Sequence, residues 1–174
     1  MGNYIGKSVK RVEDKRFITG KGKYTDDIIL PNMTYAQIVR SPYAHAIINS
    51  VDTSQAEAHP DVVAVFTGED IAKAGIGGVP CGWQVDFKNG DTMKEPPHPL
   101  LVADKVRFVG DAVAVVIAET REAAKDAAEL VEVDYEELDA VVDGEKALEE
   151  GAPLVHDDVP NNTCYDWQLG TDID

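Results

Sequence analysis

The residues able to do chemistry in this chain are few and scattered. Four histidines, His45, His59, His98 and His156, stand far apart, and none lies four residues from another as a helical metal site requires. The two cysteines, Cys81 and Cys164, are also distant in sequence, and Cys81 has no histidine beside it to act as the base that activates a nucleophile. Thr19-Gly20-Lys21-Gly22-Lys23-Tyr24 lacks the spacing of a phosphate-binding loop and reads as a turn whose glycines permit positive φ. The adjacent carboxylates Asp26 and Asp27 read as solvated groups rather than cation ligands. Gly75-Ile76-Gly77-Gly78 fails as a dinucleotide fingerprint, because Pro80 stands where the third glycine belongs and no helix follows. No catalytic, cofactor-binding or metal-ligating residue is assigned on this basis. The one stretch of chemical interest is residues 75–99, an irregular segment long enough to be functional and loaded with Cys81, Trp83 and Phe87. Those side chains either settle on the core as a lid or line a ligand path or partner surface.

The elements that would position this loop are clearer. Residues 112–118 are all apolar, four of them β-branched, and a short run of this kind between Gly110 and Thr120 predicts a strand buried on both faces. Thr120 then caps a helix over 121–131, whose alanines fall at helical spacing opposite Arg121, Glu122, Lys125, Asp126 and Glu129. Residues 131–135 alternate at period two and predict a strand with one wet face. A helix between two strands usually crosses over to let them run parallel, so the expectation is a layered sheet with the alanine-rich helix on one side. Upstream, strands are expected over 33–39, 46–51 and 62–66. A short helix capped by Asp52 or Thr53 lies between the second and third, and another follows Gly68. The chain thus holds two strand–helix–strand units. Residues 6–17 have no sustained period and read as an extended arm, a short helix is expected over 144–150, and the tail from Leu154 reads as extended and weakly anchored.

Composition narrows the function classes. The 174 residues suffice for an ordinary core, and nothing requires a disulfide framework. No apolar run approaches membrane-spanning length and the N-terminus has no hydrophobic signal region, so a cytoplasmic setting is expected. A net charge of -16 argues against a sequence-independent grip on nucleic acid. The charge is unevenly placed: seven Lys and Arg lie among the first two dozen residues, whereas beyond Asp126 Lys146 is the one cation.

Several segments taken together resemble the large, molybdenum-binding subunit of the xanthine dehydrogenase and aldehyde oxidase family, in particular its aerobic carbon monoxide dehydrogenase branch. They are Arg11-Val12-Glu13-Asp14 with residues 16–28, Arg40-Ser41-Pro42-Tyr43-Ala44-His45-Ala46, His98-Pro99-Leu100-Leu101, Lys105 through Val116, and Val133-Asp134-Tyr135-Glu136-Glu137-Leu138. The resemblance implies an α/β hammerhead domain: a two-layer α/β (α+β) fold in which helices pack on a mixed sheet. On that reading 1–24 is an extended arm, 25–150 the hammerhead domain and 151–174 a linker toward cofactor-binding domains outside this chain. It further implies a complete enzyme that holds a molybdopterin cofactor, works with FAD and 2Fe–2S clusters in flavin and iron–sulfur partner subunits, and oxidises carbon monoxide, an aldehyde or a purine. None of the motifs that grip the cofactor falls within this chain, so no cofactor is assigned to it. One role carries over from the resemblance. The loop at 75–99 corresponds to a segment that approaches the substrate channel, which makes Val79, Cys81 and Trp83 the expected channel-lining residues. The chain is therefore expected to be a scaffold and assembly domain, inert alone. The competing expectation is a stand-alone hammerhead-fold interaction or ligand-binding domain without redox chemistry, which the genomic neighbourhood would separate from the first.

Overall fold

The computed structural model describes residues 4–167 and 170, which fall into two units divided after Met33. The first unit is not wholly extended as its lack of periodicity implied, because it contains a short helix, α1 (Asp14–Ile18). The Thr19 hydroxyl donates to the Lys15 carbonyl at 2.7 Å and so serves one of the carbonyls that a helix end leaves open. The expected turn follows, with Gly20 at φ +69°, and brings the Phe17 and Tyr24 rings into a stack at 5.3 Å. The Asp27 carboxylate accepts the Tyr24 amide at 2.9 Å across this turn.

The second unit is built from six strands in two antiparallel sheets. Strand β1 (Tyr35–Arg40), β2 (Ala46–Asp52), β3 (Val62–Thr67), β4 (Lys105–Val106), β5 (Ala112–Ala118) and β6 (Glu132–Glu137) sort into one sheet of order β1-β5-β3 and another of order β4-β2-β6. Every pairing is antiparallel, which corrects the expectation of parallel strands and of a mixed sheet. The reason is occupancy. Both edges of β5 are already taken by β1 and β3, so the chain leaving β5 through α4 (Arg121–Ala128) pairs β6 with β2 instead. The upstream unit does the same in reverse, since α2 (Ser54–Glu57) leads from β2 to β3. Each strand–helix–strand unit therefore carries the chain from one sheet to the other.

Local chemistry accounts for the helix starts. Thr120 caps α4 as the sequence predicts, its hydroxyl oxygen accepting the Ala123 amide at 3.1 Å. Asp52 accepts the Ser54 amide at 2.9 Å at the head of α2. At the head of α3 (Gly68–Lys73), the Asp70 carboxylate accepts both the amide and the hydroxyl of Thr67 at 2.8 Å. Gly68 is required there, because a Cβ would sit 2.5 Å from the carbonyl of Val102. Helix α4 stops at Ala128, three residues short of the apolar pattern. The last turn tightens, with Leu130 and Val131 donating to the carbonyls of Ala127 and Ala128. The helix expected over 144–150 is a single 3-10 turn, Lys146–Leu148.

The core is divided between the two sheets, and β5 serves both. Val116 lies buried with Ala56 and Ala127, while Ala118 lies with Ala123 and Ala124, so one face of β5 is sealed by α4 and α2. Val113 points the other way, as alternation along a strand dictates, into a cluster with Ala46, Ile48, Val102 and Val106. The alanine stripe of α4 lets the helix backbone approach the sheet closely, and Ala124 and Ala127 are 1% and 0% exposed. Replacing Thr120 by alanine removes the α4 cap and is expected to cost about 1 kcal/mol of stability. Urea unfolding of the T120A chain, with an unchanged slope and a lower midpoint, is the measurement.

Candidate functional site

The segment 75–99 follows α3 and is organised by main-chain bonds rather than by a regular element. The Val79 amide donates to the His98 carbonyl at 2.8 Å, which draws the two ends of the loop together. Gly78 makes this approach possible, since a Cβ there would lie 2.4 Å from the His98 oxygen. Between them the chain folds back on itself: Asp86 pairs with Thr92, the Phe87 amide donates to the Asp91 carbonyl at 2.7 Å, and Gly90 turns at φ +87°.

The tail is held against this loop, contrary to its weakly anchored reading. Lys94 donates its amide to the Cys164 carbonyl and Lys88 its amide to the Asp166 carbonyl, both at 2.9 Å, and the Lys88 ammonium pairs with the Asp166 carboxylate at 3.1 Å. Further back, the Asn162 side chain donates to the carbonyls of Ala147 and Pro153 at 3.0 Å and accepts the Val155 amide at 2.9 Å. Lys105 reaches Asp157 at 2.7 Å. Tail residues beyond Trp167, apart from Gly170, lie outside the described residues.

Loop and tail together enclose a groove of about 550 Å³, whose walls are Val79, Pro80 and Cys81 on one side and Met93 to Pro99 with Cys164 and Tyr165 on the other. Of the three residues singled out from the sequence, Val79 and Cys81 line this groove. Trp83 does not. Its ring meets Trp167 edge-on at 5.6 Å, and its carbonyl accepts the Cys81 thiol at 3.0 Å. Trp83 is not part of a lid on the core either, since it is 68% exposed, whereas Phe87 is half-buried. Sequence reasoning missed Cys164 and Tyr165, whose placement depends on contacts across some 70 residues of chain. The Pro96-Pro97-His98-Pro99 run was the available signal, for a segment so poor in amide donors forms a wall rather than a strand.

A second polar cluster lies where the motif residues of the first sheet meet the second. The Ser41 amide donates to the Asp111 carbonyl at 2.9 Å, Arg40 donates to the Gly110 carbonyl at 2.7 Å, and the Asp111 carboxylate accepts the Arg107 amide at 3.0 Å. His45 bonds through Nδ1 to the Asp139 carbonyl at 2.8 Å. Burial, reinforced by the nearby Arg107 guanidinium, holds His156 below its ordinary pKa of 6.5.

Among the described residues no three His, Cys, Asp or Glu side chains converge. The glycine-rich segment at 75–78 spends Gly78 on contact with His98 instead of cradling an anion. No helix among the described residues is long and apolar enough to cross a membrane.

Comparison with known proteins agrees with this architecture. Residues 19–139 match the family model for the aldehyde oxidase and xanthine dehydrogenase a/b hammerhead domain. The chain belongs to that family and carries its hammerhead domain. It is 40% identical to the carbon monoxide dehydrogenase large chain of Afipia carboxidovorans, with 95% of this chain and 21% of that protein covered. It is 38% identical to the xanthine dehydrogenase molybdenum-binding subunit of Escherichia coli O157:H7, with 84% and 19% covered. Among solved structures, quinoline 2-oxidoreductase from Pseudomonas putida 86 superposes with a TM-score of 0.72 at 40% identity, with 91% and 19% covered. The chain thus spans about a fifth of the length of the relatives it matches.

Two outcomes follow from the geometry. Gly78→Ala forces a Cβ onto the His98 carbonyl and is expected to cost about 1–3 kcal/mol, with faster limited proteolysis within 75–99 as the local readout. The folded chain binds a proton at His156 more weakly than the unfolded chain does. This contribution is complete above pH 6.5 and is lost as pH falls through the folded value. His156→Gln should therefore flatten part of the decline in urea midpoint between about pH 7 and about pH 5.

Proposed function

We propose that this chain is the N-terminal domain of the large subunit of a molybdenum hydroxylase, an oxidoreductase of the carbon monoxide, aldehyde or xanthine dehydrogenase type. It acts there as a scaffold and assembly domain and is inert alone. The molybdopterin cofactor would be held by the remainder of the large subunit, with FAD and 2Fe–2S clusters in partner subunits, in the cytoplasm. When bound, that cofactor supplies the redox chemistry. This chain's own residues supply shape. The arm at 1–24, the hammerhead at 25–150 and the segment at 151–174 divide the labour as anchor, scaffold and lead into the rest of the subunit.

The observation that carries the reading is the groove between loop and tail. It is held open by main-chain bonds at Val79 to His98 and Lys94 to Cys164, so its walls are set before any ligand arrives. Val79, Met93 and the prolines at 80, 96, 97 and 99 give much of it an apolar lining, with Lys94, Glu95, His98 and Tyr165 also on its walls. Such a surface can guide a substrate by exclusion and contact, which is what a channel wall does. Trp83 supports it from outside through Trp167.

The test is made in the complete enzyme. Trp83→Ala and Val79→Trp should each raise KM for the enzyme's own substrate by about tenfold, the scale of removing or obstructing one apolar side chain in a pocket, with a smaller change in kcat. If KM and kcat both stay at the parent values in both variants, the channel role is wrong. The isolated chain should carry neither molybdenum nor pterin on elemental and fluorescence analysis.

A further inference from the structure

The first sheet is covered by helices on one side only. Val116 and Ala118 turn to α2 and α4, so alternation along β5 turns Val115 and Ile117 to the opposite face. Strand register sets Ile38 of β1 and Phe66 of β3 on either side of Val115, and Ala36 and Ala64 on either side of Ile117. Residues paired across strands share a face, so these six side chains form one apolar patch. It lies open among the described residues. Ile38 and Phe66 are 38% and 41% exposed, and Val115 and Ile117 are only half-buried although their strand has a neighbour on each edge.

The charge pattern narrows the kind of occupant this face takes. The chain has twice as many acidic as basic residues, yet β1, β3 and β5 contain no Asp or Glu, whereas β6 at the edge of the other sheet carries Glu132, Asp134, Glu136 and Glu137. Arg40 is the one base in the three strands, and it donates to the Gly110 carbonyl at 2.7 Å. A contiguous apolar patch kept clear of charge marks a contact surface. Partners that meet by diffusion use charge to steer their encounter and to reject wrong ones, and this patch offers none. A second copy would bring its own net charge of -16 against the first. A surface joined to this domain by the same polypeptide needs no steering, because the link holds it at high effective concentration. The relatives have such chain to offer, for the matched region is 21% of the carbon monoxide dehydrogenase large chain and 19% of the xanthine dehydrogenase subunit.

We propose, resting on the reading of this chain as the N-terminal domain of a large subunit, that the face built on Ile38, Val115 and Phe66 is the seat of an uncharged apolar surface from the remainder of that subunit. β5 then lies between apolar layers along its whole length, in keeping with its unbroken apolar sequence.

Carbene footprinting from a photolysed diazirine, read by mass spectrometry, compares the isolated chain with the complete enzyme. Ile38 and Phe66 should be labelled in the isolated chain and protected in the complete enzyme. Phe66→Lys changes an exposed side chain, so the isolated variant should keep the parent circular dichroism spectrum and urea midpoint, and Ile38→Lys makes the same change from the other edge strand. In the complete enzyme each variant should restore labelling at the unaltered member of the pair. Each should also speed limited proteolysis within 151–174 by about tenfold or more, the scale of an unpaired charge forced into an apolar contact. If a lysine variant does not fold, the parent footprint decides alone. Equal labelling in the isolated chain and in a complete enzyme that holds molybdenum and pterin, or folded lysine variants that behave as the parent there, overturns the seat and leaves the domain reading standing. A complete enzyme lacking molybdenum and pterin overturns both together. Protection that already appears on concentrating the isolated chain overturns the seat in favour of a second copy.

Discussion

The second unit depends on one strand being wanted by two cores. β5 gives Val116 and Ala118 to the helices and Val113 to the opposite sheet, so its uninterrupted apolar sequence is a structural necessity rather than an excess of hydrophobicity. Burying each of these two valines contributes about 1.5–3 kcal/mol. A polar residue at Val113, Val116 or Ala118 would be placed in one core or the other. The motif segments then fasten themselves around the start of this strand: Ser41 and Arg40 grip Asp111 and Gly110, and His45 reaches across to Asp139. The stretches that carry the family resemblance thus serve the frame itself.

Much of this frame was legible in the sequence. The period-two and all-apolar runs place β1, β2, β3, β5 and β6, and Thr120 marks the start of α4. What periodicity cannot express is which strand pairs with which. Val133 and Tyr135 alternate in the same way whether β6 joins β5 or β2, and the answer lies in β1 and β3 already flanking β5. Helix α1 was missed because five residues with no buried side chain leave no amphipathic stripe to detect.

The candidate site was legible in part. An overlong loop rich in glycine and proline pointed to 75–99, and within it Val79 and Cys81 do face the groove. Cys164 and Tyr165 join the other wall from the far end of the described chain, by main-chain bonds that Lys88 and Lys94 make without regard to side-chain identity. No residue type announces such a bond. Likewise His45 and Arg107 look ordinary one at a time. Only the one buried nitrogen that each keeps without a hydrogen-bond partner distinguishes them.

The double crossing of the chain between the sheets has a mechanical consequence. Because α2 and α4 each tether one sheet to the other, neither can peel away while its partner stays folded. Partial melting would have to tear β5 from both cores at once, so the two layers share a single cooperative transition. A domain of this kind has no layer that can loosen by itself.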